Sequence, residues 1–288
     1  MGFIGATIVK NMFGNNLKKI IVLVALLNLS ACSVVGDLWY ERMDQFIADQ
    51  LLEYAKFSNN QEGYIRKVAK EFKDWNAKSE LPEYKKLLLQ FRLLGEETVV
   101  SDIDEIYQNG VILSNRNRDF FTSRFIDFSE TLTENQIKEI SVHLDELTEE
   151  RIFELEKETK NYQDTLEKTF VRFFRLLGVK LNKKQKNTIQ LSSSGLEDRR
   201  YQLINDRIKW NEQFVKILAA RTDKSFKQQL TNHINTLNPE DKYTRTVINQ
   251  ITAEIIASLD EKQRARFQKR LEVFENSLDQ IMERQNQS

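Results

Sequence analysis

The chain has 288 residues, with 43 Lys and Arg against 43 Asp and Glu, two histidines and one cysteine. That balance lacks the basic excess a nucleic-acid partner wants. A single cysteine excludes a disulfide within the chain, and two histidines beside it argue against a His/Cys metal centre.

At the N-terminus Lys10, Lys18 and Lys19 precede an apolar run from Ile20 to Leu29, and no acid occurs before Asp37. The run is about half the length of a membrane span and fits the apolar core of a signal peptide. It ends in Leu29-Ser30-Ala31-Cys32, which resembles the lipobox of bacterial lipoproteins. The resemblance implies that residues 1–31 are removed, that Cys32 is acylated on its sulfur and on its new amino group, and that residues 32–36 form a short tether. Ser33, where Asp would retain the protein at the inner membrane, implies sorting to the outer membrane, with the domain facing the periplasm. Several acyl chains together give a durable anchor, each buried CH₂ contributing about 0.8 kcal/mol. Met12 is an alternative start. Without the leader the chain carries 40 basic against 43 acidic residues.

Beyond the tether, apolar residues recur at helical spacing. Trp39, Met43, Phe46, Ile47, Leu51 and Tyr54 define one face of a first helix. A second is expected over 59–75, with Ile65, Val68, Phe72 and Trp75. A third opens with Pro82 in its first turn and stops at Gly95. A fourth lies near 100–127. One long helix is expected over 134–177, about 65 Å at 1.5 Å per residue, stopped by Gly178. Further helices follow at 183–192, 196–221, 224–236, 239–257 and 261–285. The expected fold class is all-α: a bundle of roughly eight to ten helices in a single domain over 37–288. It leaves room for two sub-bundles meeting near 128–134.

A pentad recurs along the chain. Leu132-Thr133-Glu134-Asn135-Gln136 returns as Leu181–Gln185 and Leu259–Gln263, and more loosely as Phe57–Gln61 and Leu237–Asp241. A bulky apolar residue, a small polar one, then Gln or Asp three places on, is the pattern of a helix start. The cap accepts from the N3 amide, the N3 side chain accepts from the cap's own N–H, and the leading residue staples onto the new helix.

Charge is polarised across the expected long helix. Residues 130–167 hold twelve acids against four bases, whereas residues 168–196 hold seven bases and no acid. Acid early and base late suits the helix dipole. Arg172, Arg175, Lys180, Lys183, Lys184 and Lys186 also form a candidate patch for anionic head groups or an acidic partner.

Most of the chain resembles an uncharacterised family of bacterial lipoproteins, a domain of unknown function. The residues that carry this begin with Tyr54 running into Phe57–Gln61, then Trp75 and Glu80-Leu81-Pro82-x-Tyr84. Asp198-Arg199-Arg200 with Trp210 follows, then Leu259-x-x-x-Gln263-Arg264 with Phe267, Arg270 and Leu271. Phe57 departs from the Leu-Thr the family usually has there. The family implies no activity. The Leu-Thr-x-x-Gln pentads alone are similar to those of Spy/CpxP-type periplasmic stress chaperones.

No P-loop, Gly-x-Gly-x-x-Gly, Gly-x-Ser-x-Gly or His-Glu-x-x-His pattern occurs. His143 is expected on the exposed side of an acidic helix, and nothing in sequence orients it or His233 for catalysis. The expectation is a lipid-anchored, non-catalytic interaction or scaffold domain of the cell envelope. It needs no cofactor or metal and has a membrane and an envelope protein as partners. An envelope-stress holdase shielding unfolded clients is the alternative, and an envelope hydrolase, for which only unplaced carboxylate pairs speak, comes third.

Overall fold

Helix start signals spaced through a chain with two prolines should divide it into many helices, and they do. The computed structural model describes residues 40–236 and 241–287. The leader, Cys32, Ser33 and the greater part of the pentad 237–241 lie outside the described residues. The described residues hold helices and turns and no strand. In order they are α1 (Met43–Leu52), α2 (Asn59–Trp75), a π turn (Asn76–Glu80), α3 (Leu81–Arg92) and α4 (Val100–Ser129). There follow α5 (Glu134–Glu156), α6 (Tyr162–Leu176), α7 (Lys183–Ser192), α8 (Arg200–Ala219), α9 (Phe226–Asn235), α10 (Lys242–Ala257) and α11 (Glu261–Gln287).

Four pentads are helix starts. Ser58, Thr133 and Asn182 each accept from the N–H of the glutamine three residues on, and that glutamine's Oε1 accepts from the cap's own N–H. Asp260 and Gln263 make the same pair of bonds, at 2.8 and 3.1 Å. Leu132 and Ile137, the expected staple, are buried in one core. The fifth pentad works differently: Asp241, its last residue, caps α10 by accepting from Thr244 N–H at 3.1 Å.

The stretch expected as one helix over 134–177 is two. α5 ends at Glu156, and Asn161, accepting from Asp164 N–H at 2.8 Å, starts α6. Leu155 and Tyr162 stand two helical turns apart, so the apolar spacing stays in phase across the polar residues 157–161 and hides the interruption. Packing gives the reason for it: α5 lies on α8, whereas α6 lies on α7.

At its far end α6 closes as expected. Val179 N–H donates to Phe174 O at 2.8 Å and Gly178 N–H to Arg175 O at 3.0 Å, the bond pair of a Schellman cap. Gly178 takes φ 78°, and a Cβ there would sit 3.0 Å from Arg266 O on α11. Glycine is required twice over, by the left-handed backbone and by the close approach.

The chain order repeats itself. A helix that a second one caps onto (α1 then α2, α6 then α7) leads to α3 in the first half and α8 in the second. α4, or α9 with α10, comes next, and a pentad opens α5 or α11. Contacts follow the same order, except that the last helices are exchanged: α5 packs on α8 of the second half, and α11 packs on α3 of the first. α4 packs against both α9 and α10. Each of the two larger cores is therefore mixed. One joins α1, α2, the end of α4 and α5 to Ile217, Leu218, Phe226 and Leu230. The other joins α6, α7, α10 and α11 to Leu88, Leu94 and Ile103. Phe128 and Leu132, at the expected meeting point of sub-bundles, are buried inside the first of these. A smaller aromatic core around Phe72, Trp75 and Phe120 receives Leu278, Ile281 and Met282 from the end of α11.

Candidate functional site

The glutamines of the four boxes meet in pairs. Gln136 Nε2 donates to Gln61 Oε1 at 2.8 Å, and Gln61 Nε2 returns the bond at 3.1 Å. Gln185 and Gln263 exchange the same two bonds, each at 3.1 Å. The second protons reach backbone carbonyls: Thr131 and Lys56 in the first junction, Ser258 and Lys180 in the second. Two helix starts are thereby locked to each other in each half. A cleft of about 520 Å³ lies over the first junction, lined by Ser58, Gln61, Tyr64, Phe128 and Gln136 among others. Its glutamine amides are already committed and the Tyr64 hydroxyl donates to Arg124 O at 3.2 Å. The amides of the junction are thus spent on holding the two helix starts together.

The Glu80-Leu81-Pro82-x-Tyr84 segment forms a second constellation. Glu80 ends the π turn fully buried, with Oε1 2.6 Å from Arg116 Nη2 on α4, while Oε2 has no partner among the described residues. Tyr84 Oη accepts from Asn117 Nδ2 at 2.5 Å, so the segment clamps α3 to α4. Pro82 occupies the first turn of α3, where its missing N–H leaves no bond unmade. Burial raises the Glu80 pKa above its usual 4.5, Arg116 opposes the shift, and Glu83 adds to it. A carboxyl whose pKa rises on folding supports the fold fully below its unfolded pKa, and that support is lost as pH climbs through the folded value. Relative to the parent chain, Glu80→Gln is therefore expected to gain stability as pH rises from about 4.5 toward neutrality. Urea midpoints of both chains at the two ends of that range measure it. Glu275, whose pKa burial also raises, is common to both and cancels. A difference that stays constant or shrinks with pH would sink the assignment.

The predicted basic residues are brought together and extended. Arg172 and Arg175 lie on the exposed side of α6, Lys180 in the loop after Gly178, and Lys183 and Lys184 in the first turn of α7. Lys186 is half-buried and reaches Glu167 at 3.7 Å. The Gly178 loop rests on the first half of α11: Arg270 Nε donates to Leu176 O at 3.1 Å, and Gln263 Nε2 to Lys180 O at 2.8 Å. α11 thereby adds Lys262, Arg266 and Lys269, all exposed. No carboxylate occurs between Glu167 and Glu197 or between Glu261 and Glu272. Among the described residues, Arg172, Arg175, Lys180, Lys183, Lys184, Lys262, Arg266 and Lys269 form no ion pair. The α11 cations were missed in sequence, although Lys262, Arg266 and Arg270 at four-residue steps were the available signal. In the other half the corresponding helix, α5, exposes Glu134, Asp145, Glu146, Glu149, Glu150, Glu154 and Glu156. The repeat thus sets an acidic helix where its partner half has one whose first half is basic.

Both histidines pack against aromatic rings. His143, expected to be exposed, is half-buried with its ring edge-on to Tyr54 at 4.5 Å between centroids. His233 stacks on Trp210 at 4.5 Å, its Nε2 bonds the Trp210 carbonyl at 2.9 Å, and Trp210 Nε1 donates back to His233 O at 3.1 Å. Since a carbonyl only accepts, Nε2 carries the proton there. Among the described residues no group of three or more His, Cys, Asp or Glu side chains is placed to hold a metal ion, and no helix is long and apolar enough to cross a membrane.

No curated protein and no solved structure matches the chain. One family does match, over residues 53–245, which takes in the first pentad, the Glu80–Tyr84 clamp, the predicted basic residues and the Trp210–His233 pair, but stops short of α11. Most of the chain lies within that span, and the chain belongs to this family of unknown function, DUF6279.

Proposed function

We propose that the chain is a non-catalytic interaction domain of the bacterial envelope, held at the outer membrane by lipid on Cys32 and working through the basic face of α6, α7 and α11. The observation that carries this reading is the gathering on α6, α7, the loop between them and α11 of eight cations that form no ion pair among the described residues, in a chain whose charges balance overall. Charge gathered on one face steers and orients an oppositely charged partner even where the net charge is near zero. The leader and the Ser33 sorting position supply the membrane.

The test expresses the full chain in a two-membrane bacterium beside a Cys32→Ala variant. The parent is expected to take up palmitate and sediment with the outer membrane, and the variant to lose both. Unchanged labelling and fractionation would remove the anchor from the reading. A Lys183→Glu, Lys184→Glu, Arg266→Glu variant is expected to keep its lipid and its membrane but lose crosslinks made through the basic face. Crosslinks that survive the reversal would remove that face from it.

A further inference from the structure

We infer that the basic face docks on the phosphate head groups of an anionic phospholipid surface, laying the domain against the membrane that holds it; this rests on the reading of the chain as membrane-held. The cations come from the exposed side of α6, the loop after Gly178, the first turn of α7 and the first half of α11. Their backbones are fixed to one another through Gly178, Arg270 and the Gln185–Gln263 pair. They are thus presented as a preformed surface, suited to an extended anionic plane.

The geometry lets anchor and face share one surface. Arg284, near the other end of α11, lies 3.9 Å from Glu41. The start of the described chain is therefore about 27 Å along the helix from Arg266 at 1.5 Å per residue. The eight steps from Cys32 to Tyr40 can span at most about 29 Å. A second copy, offering its acidic α5, is the competing occupant. That helix interrupts its acids with Lys138 and Arg151 and with exposed Val142 and Phe153, and Lys157 lies over the Phe153 ring at 3.7 Å. It is a poorer complement to the basic face than a lipid surface is.

The test is lysine footprinting of the lipidated full chain in native outer membranes and in two vesicle preparations, phosphatidylcholine alone and phosphatidylcholine with phosphatidylglycerol in equal parts. An amine-acylating reagent reads Lys180, Lys183, Lys184, Lys262 and Lys269 against Lys138 as internal reference. With phosphatidylglycerol the five should slow about fivefold, the ratio corresponding to about 1 kcal/mol per cation near an anionic surface. High salt should reverse the slowing, and the Lys183→Glu, Lys184→Glu, Arg266→Glu variant should abolish it at Lys180, Lys262 and Lys269. No slowing on either vesicle overturns the proposal. Equal slowing on both, growing with protein density, overturns it in favour of a second copy. Slowing seen only in native outer membranes overturns it in favour of an acidic protein. Retention separates the underlying reading: a chain that stays on phosphatidylglycerol but leaves pure phosphatidylcholine supports the lipid-binding face and sinks the anchor. A chain that leaves both sinks both.

Discussion

Replacing Phe267 by Ala is expected to remove about 3–5 kcal/mol of stability, the range for deleting a fully buried phenylalanine. Phe267 is fully buried on α11, in the core it shares with Phe174, Leu271 and Phe274. Its ring meets Phe91 of α3 edge-on, with centroids 5.5 Å apart, in the geometry aromatic pairs prefer. Phe91 in turn approaches Phe173 of α6 at 6.4 Å. The substitution therefore empties a position where the exchanged helix of the second half joins the first. Loss of contact atoms on all sides cannot be recovered by local collapse without moving α3 off α11. For a chain of this size the loss corresponds to a fall in Tm of roughly 10 °C. Leu191→Ala, at a side chain 75% exposed, serves as the control and should stay within about 0.5 kcal/mol. Equilibrium urea unfolding measures both. A Phe267→Ala chain within about 1 kcal/mol of the parent would mean that α11 does not pack on α3 as described.

Gln263→Leu should destabilise by about 3 kcal/mol, and by more than Gln61→Leu does. Gln263 accepts from Asp260 N–H and from Gln185, and donates to Gln185 and to Lys180 O. Leucine roughly preserves the volume, strands Asp260 N–H and Lys180 O, and takes one bond from each amide atom of Gln185, which keeps Ser258 O and Asn182 N–H. Gln185 is 2% exposed and Gln263 9%, so water cannot readily substitute, and each stranded group costs about 1–3 kcal/mol. At the first junction Gln61 is only half-buried and a cleft of about 520 Å³ opens beside it, which lets water take up the orphaned bonds. A double-mutant cycle on Gln185 and Gln263 should show coupling above about 0.5 kcal/mol. Equal losses at the two junctions, or additive effects within the second, would contradict the paired-amide description.

The pentads show how far local chemistry reaches. Ser58, Thr133, Asn182 and Asp260 could be read as caps from sequence because a capping box is closed within four residues. That their glutamines pair across 75 and 78 residues was invisible, since a box is complete without the pairing. The interruption between Glu156 and Asn161 stayed hidden because Leu155 and Tyr162 keep helical phase. The cap that Asn161 makes with Asp164 N–H begins α6 there. The basic face was half legible: Arg172 to Lys186 stand together in the chain, whereas Lys262, Arg266 and Lys269 join them only through packing on the Gly178 loop. Glu80 carried no sign of its burial, because a glutamate before Leu-Pro reads as a solvated helix entry until Arg116 is brought to it from another helix.

By itself, then, the sequence determined the elements that short-range physics controls: the all-helical class, the positions of most helices, the cap residues and the glycine after α6. Each depends on bonds or sterics closed within a turn or two of chain. The tertiary structure alone decided the exchange of α5 and α11 between halves, the glutamine junctions, the Glu80–Arg116 contact and the extent of the basic face. Those arise where segments far apart in the chain are pressed together to bury apolar area. The hydrophobic effect that drives this is non-directional, so a helix's apolar stripe says that it must be covered and leaves the covering helix unnamed.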